Sequence, residues 1–333
     1  MVCLLNFQPD PPQIVVHKAS SDFRLDLLPL LQAMIHQYRN LLLLHLIVFI
    51  YGFTGILGAL ITIPSENLVW YRMLIAVIGI FAYLKFKKII LIVSFKNLLK
   101  FLVTGLIIAS HWIFFFEAIK VSNVSVTLAC LSSATLFTAL LEPLIFKRRL
   151  IGYEAIFGLV IILGLYLIFN FETQYKLGIF YTLFSAFMAS LFTVINGTFA
   201  SKHEPAVVSV YEMLGGFIGI SVYFALSSRA DLRIFEVPPI DVIYLLILGL
   251  ICTAFAFVVS INIMRELTPY TVTMAINLEP VYGIILAFFI FGEAERMTTG
   301  FYIGTIIILL TIFTNGYLKI RKRSNTKLQS GVF

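Results

Sequence analysis

Ten apolar stretches, each bounded by polar or charged residues, occupy most of the chain. They fall at 41–61, 68–84, 100–119, 124–146, 152–170, 177–199, 206–226, 241–264, 270–291 and 298–318. Each is close to the ~20 residues a helix needs to cross the hydrocarbon of a bilayer. Continuous apolar runs predict helices, because a membrane barrel alternates apolar and polar positions with period two. Residues 1–40 differ in kind. They carry Pro9, Pro11, Pro12, Pro29 and scattered charges, with no run long enough to span and no secretory signal pattern. They read as an N-terminal tail, or as sequence ahead of an alternative start at Met34; a chain starting at Met34 is expected to insert normally. Residues 321–333 read as a basic tail.

The second and seventh stretches repeat one another. VWYRMLIAVIGIFAYL at 69–84 and SVYEMLGGFIGISVYF at 209–224 share seven of sixteen positions at an offset of 140, among them Tyr71/Tyr211, Met73/Met213 and Gly79/Gly219. Gly105-Leu106-Ile107 matches Gly249-Leu250-Ile251 at offset 144, and Val126-Thr127-Leu128-Ala129 resembles Val272-Thr273-Met274-Ala275 at offset 146. Five stretches precede the loop at 171–176 and five follow it. An odd number of spans per half makes the halves cross in opposite senses, an architecture common among secondary transporters. The predicted fold is therefore all-α and integral to the membrane: ten transmembrane helices in two inverted five-helix repeats, 41–170 and 177–320.

Composition and charge sharpen this. The chain is 60% hydrophobic and 12% charged, with mean hydropathy +0.99. Soluble domains carry about 25% charged residues. Of 24 Lys and Arg, 18 fall on the side of the chain ends, five on the opposite side, and Arg72 inside a span. Basic residues favour the cytoplasm, which predicts both termini cytoplasmic in a multi-pass cell-membrane protein. The net charge of +7 comes from loop lysines and implies no nucleic acid partner. Cys3, Cys130 and Cys252 have neither metal nor disulfide spacing, and no metal or cofactor is expected.

Leu68-Val69-Trp70-Tyr71-Arg72, early in the second span, and Leu278-Glu279-Pro280 through Phe291-Gly292-Glu293 in the ninth resemble the drug/metabolite transporter superfamily, specifically its EamA-type permeases. The resemblance covers about 41–320. It implies a helical bundle with a pathway between its halves, working by alternating access. The first half departs from the family pattern. Ala134 or Thr135 stands where the second half has Pro280, and Lys147-Arg148 where it has Gly-Glu.

Ionised side chains at a helix centre cost about 2.5–3.5 kcal/mol on insertion scales, so they face cavities or partners. Glu279, near the middle of span nine beside a helix-breaking proline, is a candidate protonatable coupling group or a contact for a substrate ammonium, with Asn277 close by. Arg72 and Glu117 are placed near the outer ends of spans two and three, where they form an ion pair that serves a substrate gate or is purely structural. Glu212 is the repeat mate of Arg72 on the inner side. His111 is a candidate proton relay and Trp112 a stacking surface, although an aromatic cluster also fits lipid-facing packing. Asn262 is a candidate cavity residue, as are Ser132, Ser133 and Thr135. The sequons at Asn123 and Asn196 are discounted, since they lie at a span edge and inside a span.

No phosphate-binding loop, H-E-x-x-H or G-x-S-x-G motif occurs, which leaves ATPase and hydrolase readings unsupported. The reading is a non-enzymatic secondary transporter, an exporter of a small organic metabolite such as an amino acid. Its expected partners are that small molecule, the lipid bilayer, protons as coupling ion and a second copy of the chain in a homodimer. A scaffold or sensor without transport is the alternative, and an intramembrane enzyme is the remaining one.

Overall fold

A computed structural model describes residues 23–147, 152–227, 236–265, 272, 275–276 and 278–329. Side chains are described from residue 42 onward, apart from 152–155, 316 and 319–329. Among the described residues the chain is helical throughout, with no strand. The helices are α1 (Phe23–Leu60), α2 (Ser65–Phe86), α3 (Phe95–Val121), α4 (Val124–Leu131), α5 (Ala134–Phe146), α6 (Gly152–Phe171), α7 (Lys176–Ala200), α8 (Pro205–Leu226), α9 (Pro239–Gly249), α10 (Ala256–Ile263), α11 (Glu279–Phe291) and α12 (Thr299–Gln329). A π-helical segment, Leu250–Phe255, joins α9 to α10.

Seven helical segments are long and apolar enough to cross a membrane: Leu42–Leu60, Ser65–Phe86, Phe95–Val121, Val124–Phe146, Thr173–Ala200, Pro205–Leu226 and Pro239–Ile263. Ile156–Phe171 and Thr299–Asn315 are shorter apolar helices. Large side chains such as Ile92, Phe86, Leu226 and Phe289 stand exposed around the bundle. Lipid, unlike water, solvates such a surface without penalty. The protein is a multi-pass membrane protein. α1 begins at Phe23, so part of the stretch expected as a tail is helical and continuous with the first span.

The repeat seen in the sequence reappears in the packing. A Cβ on Gly105 would fall 2.0 Å from the carbonyl oxygen of Glu212. Its repeat mate Gly249 lies against Ile75 and the carbonyl of Arg72, the mate of Glu212, with distances of 2.5 Å and 3.4 Å from such a Cβ. Likewise Gly79 meets Leu250 while Gly219 meets Leu106. So α2 of one half lies on α9 and the π-helical segment of the other, and α8 lies on α3, by the same glycine contacts. A backbone atom at 2.0 Å cannot move aside as a flexible side-chain tip can. Gly105→Ala is therefore expected to cost on the order of 1–3 kcal/mol by overpacking, read as a lower unfolding temperature in detergent. Gly292, at φ +59°, has nothing within 4 Å of its missing Cβ, so space does not constrain it.

The segment Val124–Phe146 is broken partway. α4 ends at Leu131 and α5 starts at Ala134. In the ninth stretch α11 starts at Glu279, with Pro280 in its first turn, where a missing N–H costs nothing. Ser190 Oγ on α7 donates to the carbonyl of Ala134 at 2.7 Å, and Gly52 on α1 sits against the carbonyl of Glu279. With Ala134 or Thr135 standing where the second half has Pro280, Ser133 or Ala134 stands where it has Glu279, and the carboxyl has no repeat mate.

Candidate functional site

Between the two halves lies a cavity of about 100 Å³. Arg72, Trp112, His111, Phe192, Phe257 and Glu279 are among its lining residues; the α4–α5 break brings Ser132 and Ala134 to it, and the start of α11 brings Pro280. It holds Glu279, expected near the middle of its span, and Arg72, expected near the outer end of its own, together with an aromatic wall.

Arg72 is 2% exposed. Its Nε donates to Thr253 Oγ1 at 2.6 Å, and its guanidinium carbon lies 3.7 Å from the centre of the Trp112 ring. Its Nη1 has no hydrogen-bond partner. The π-helical turn presents the threonine: Thr253 Oγ1 donates back to the carbonyl of Leu248, five residues earlier, at 2.7 Å. Such turns recur at functional sites. Among the described residues, no salt bridge joins Arg72 to Glu117 or to Glu279. The expected Arg72–Glu117 pair is not formed. α2 starts at Ser65, capped by Pro64, rather than at 68. Arg72 is consequently about 10 Å inside the helix, at the depth of the cavity, while Glu117 stays half-buried beside Lys120 near the end of α3.

Glu279 is buried and lines the same cavity. Asn277 lies outside the described residues. Trp112 is the platform beneath Arg72 and also meets the Phe257 ring edge-on, with centroids 6.3 Å apart. His111 Nδ1 lies 3.0 Å from the carbonyl of Ser185 and 2.7 Å from its hydroxyl, which itself donates to the His111 carbonyl at 2.9 Å. A carbonyl only accepts, so Nδ1 carries the ring proton. Asn262 faces away from the cavity. It is exposed, and its Oδ1 accepts from Arg265 Nη1 at 3.5 Å; a position on the outward side of the short helix α10 explains the departure. Glu212 does not line the cavity. It is fully buried behind it, and its Oε2 accepts from Asn196 Nδ2 at 3.4 Å. Asn196, discounted as a sequon, does line it.

Three carboxylates that the sequence did not single out tie loops together at one end of the bundle. Asp241 Oδ2 accepts from Thr62 N at 2.9 Å, Thr62 Oγ1 at 2.8 Å and Ile63 N at 3.3 Å. Glu295 accepts from Val124 N at 3.0 Å and Ser125 N at 2.8 Å, the free amides at the start of α4. Glu172 Oε1 accepts from Thr298 N at 2.9 Å and Thr298 Oγ1 at 2.7 Å. Lys120 Nζ reaches the carbonyl of Ile63. The cavity instead extends toward Met264 and Asn196, near the opposite end. There Arg265 bonds to Ala200 O at 3.0 Å and pairs with the exposed Glu204 at 3.1 Å. Hydrogen bonds to charged groups contribute about 1.5–3 kcal/mol each. Asp241→Ala is expected to loosen the α1–α2 turn selectively, read as faster amide exchange at Thr62 and Ile63 with little change elsewhere.

The sequence profile of the EamA-like transporter family matches residues 39–170 and 176–317, one copy per half. An "Uncharacterized transporter" of Archaeoglobus fulgidus is 24% identical over 278 residues, which cover 82% of this chain and 95% of the relative. A solved structure, described only as "Crystal structure of protein", superposes with TM-score 0.61 at 15% identity, over 83% of this chain and 96% of that one, and speaks for the fold alone. With the profile matched twice across nearly the whole bundle, the cavity described above belongs to a member of the EamA-like transporter family.

Proposed function

We propose that the chain is a secondary transporter that exports a small zwitterionic metabolite, of the amino-acid class, through the cavity between its halves. The observation that carries this reading is the cavity's asymmetry. It offers a buried guanidinium with one nitrogen unpartnered and a buried carboxyl, walled by Trp112, Phe115, Phe192 and Phe257. An unpaired buried donor costs about 1–3 kcal/mol or more when charged. A substrate carboxylate on Nη1 removes that cost. A substrate ammonium suits Glu279, and the aromatic wall suits an apolar side chain. The cavity as it stands has room for a small zwitterion, and a larger one requires the halves to part.

The ten-span reading completes the picture. Residues 41–170 and 177–320 form the two inverted repeats, with α6, α11 and α12 adding to the seven long segments. The distribution of Lys and Arg supports cytoplasmic ends. In that orientation the end tied by Asp241, Glu295 and Glu172 faces outward, and the cavity leads inward, as expected of an exporter ready to load.

Purified protein carrying Trp70→Phe leaves Trp112 as its sole tryptophan, since the chain has two. Titration with an apolar amino acid is expected to change Trp112 fluorescence. The corresponding amine and the corresponding carboxylic acid are each expected to bind about 10–100-fold more weakly, the loss of one charge-assisted contact. Equal binding of all three ligands would overturn the zwitterion reading.

A further inference from the structure

Behind the cavity lies a second acidic side chain that substrate recognition does not use. Glu212 is 0% exposed on α8. Its Oε2 has one long hydrogen bond, 3.4 Å, from Asn196 Nδ2. Its Oε1 has no partner, and neither does Asn196 Oδ1. Two side chains joined by a single bond therefore each leave one acceptor oxygen buried and empty. Buried polar atoms are nearly always satisfied, and what both atoms lack is a donor.

Among the described residues, the surroundings supply no charge to act as that donor. α3 presents Gly105 and Leu102 to this part of α8, and α2 presents Met73. The charged groups on the neighbouring elements are otherwise engaged or remote. Arg72 is turned to Thr253 and Trp112. Lys100 is exposed on α3, and Lys202 and His203 follow the end of α7. Arg265, after α10, is paired with Glu204. None of these forms a hydrogen bond or salt bridge with Glu212. An ionised carboxylate in this place would be buried, unpaired and half unsatisfied, which proteins avoid by neutralising the group.

We propose that Glu212 and Asn196 form a proton-binding site beside the substrate cavity. The carboxyl takes one H⁺ from cavity water and becomes a neutral acid, whose O–H supplies the missing donor. On release, the same H⁺ returns to water and the carboxylate forms again. Asn196 lines the cavity and touches Glu212, so it connects the two. The main chain of Glu212 rests on Gly105 of the other half. A change in how the halves meet therefore changes how deeply the carboxyl is buried, which links proton occupancy to the conformational cycle. This role, though not the existence of the site, rests on the transport reading.

The test is infrared spectroscopy of the full chain in lipid at neutral pH, following the protonated-carboxyl C=O band that shifts down in D₂O. Wild type is expected to show a component that Glu212→Gln removes and Glu279→Gln retains. Asn196→Ala is expected to move that component to higher frequency, because the amide no longer bonds to the carboxyl. Identical spectra for wild type and Glu212→Gln would overturn the proposal. So would an unchanged band in Asn196→Ala, which decides the matter even if Glu212→Gln does not fold. A component abolished by replacing choline chloride with sodium chloride would also overturn it, assigning the oxygens to a metal cation instead. The measurement involves no flux, so a protein that holds the component without transporting anything would overturn the transport reading and leave the site standing.

Discussion

Replacing Arg72 with alanine is expected to remove zwitterion transport almost completely. The change deletes the free Nη1, the Nε bond to Thr253 and the stack on Trp112 together. A charge-assisted hydrogen bond contributes about 1.5–3 kcal/mol and a desolvated cation–π contact about 2 kcal/mol. Loss of the substrate contact alone predicts about 10–100-fold weaker binding. The effect is selective: binding of the amine analogue, which lacks a carboxylate, should hardly change. Arg72→Lys keeps the charge but neither the planar stack nor the fixed Nε donor, so partial recovery is expected. If Arg72 only braces α2 against the π-helical turn, both variants lower the unfolding temperature and weaken all ligands alike. Binding curves for the amino acid and its amine, measured on variants matched for folded fraction, separate the two outcomes.

Glu279→Gln is the second large effect, and it differs in kind. Glutamine keeps the shape and hydrogen bonding of a neutral glutamic acid at the start of α11, so the protein should fold and exchange substrate across the membrane. What it loses is titration. Exchange of labelled for unlabelled substrate should persist at substrate concentrations about 10–100-fold higher, since the ammonium loses its charged partner, while accumulation driven by a pH gradient falls to the level of empty liposomes. Flux that varies with pH in wild type should become flat in the variant. Glu279→Ala also discards the hydrogen bonding and is expected to fail in exchange as well. Wild-type accumulation by Glu279→Gln would leave Glu279 as a structural group and move coupling elsewhere, with Glu212 the next carboxyl to test.

The sequence revealed the fold more fully than the site, and particular residues show why. The repeat was readable because Gly79/Gly219 and Gly105/Gly249 are close-packing positions, where backbone or side-chain atoms of the other half leave little room for a larger side chain. Arg72 and Glu279 stood out because charge is costly in hydrocarbon and therefore rare there. Their arrangement was not readable. Hydropathy began the second span at 68, but Ser65 and Glu66 are helical behind Pro64, and that one-turn difference carried Arg72 away from Glu117 and toward Trp112. Asn196 was set aside as a sequon, although an amide inside an apolar helix carries the same signal of expense as a charge. Asp241, Glu295 and Glu172 lie at or near the ends of the apolar stretches and match no motif. Their partners are backbone amides far along the chain, and no local pattern records those. Asn262 shows the reverse error: a polar residue in a predicted span that the helix turns outward.

A small zwitterion that crosses the membrane through the cavity between the halves gives counterflow. Liposomes containing the purified protein are loaded with an unlabelled apolar amino acid and diluted into a trace of the same compound labelled. Wild type is predicted to take up label transiently above its equilibrium level, and Arg72→Ala is predicted to match empty liposomes. Absence of counterflow for every zwitterion tried, or equal counterflow by wild type and Arg72→Ala, would rule out zwitterion transport through this cavity.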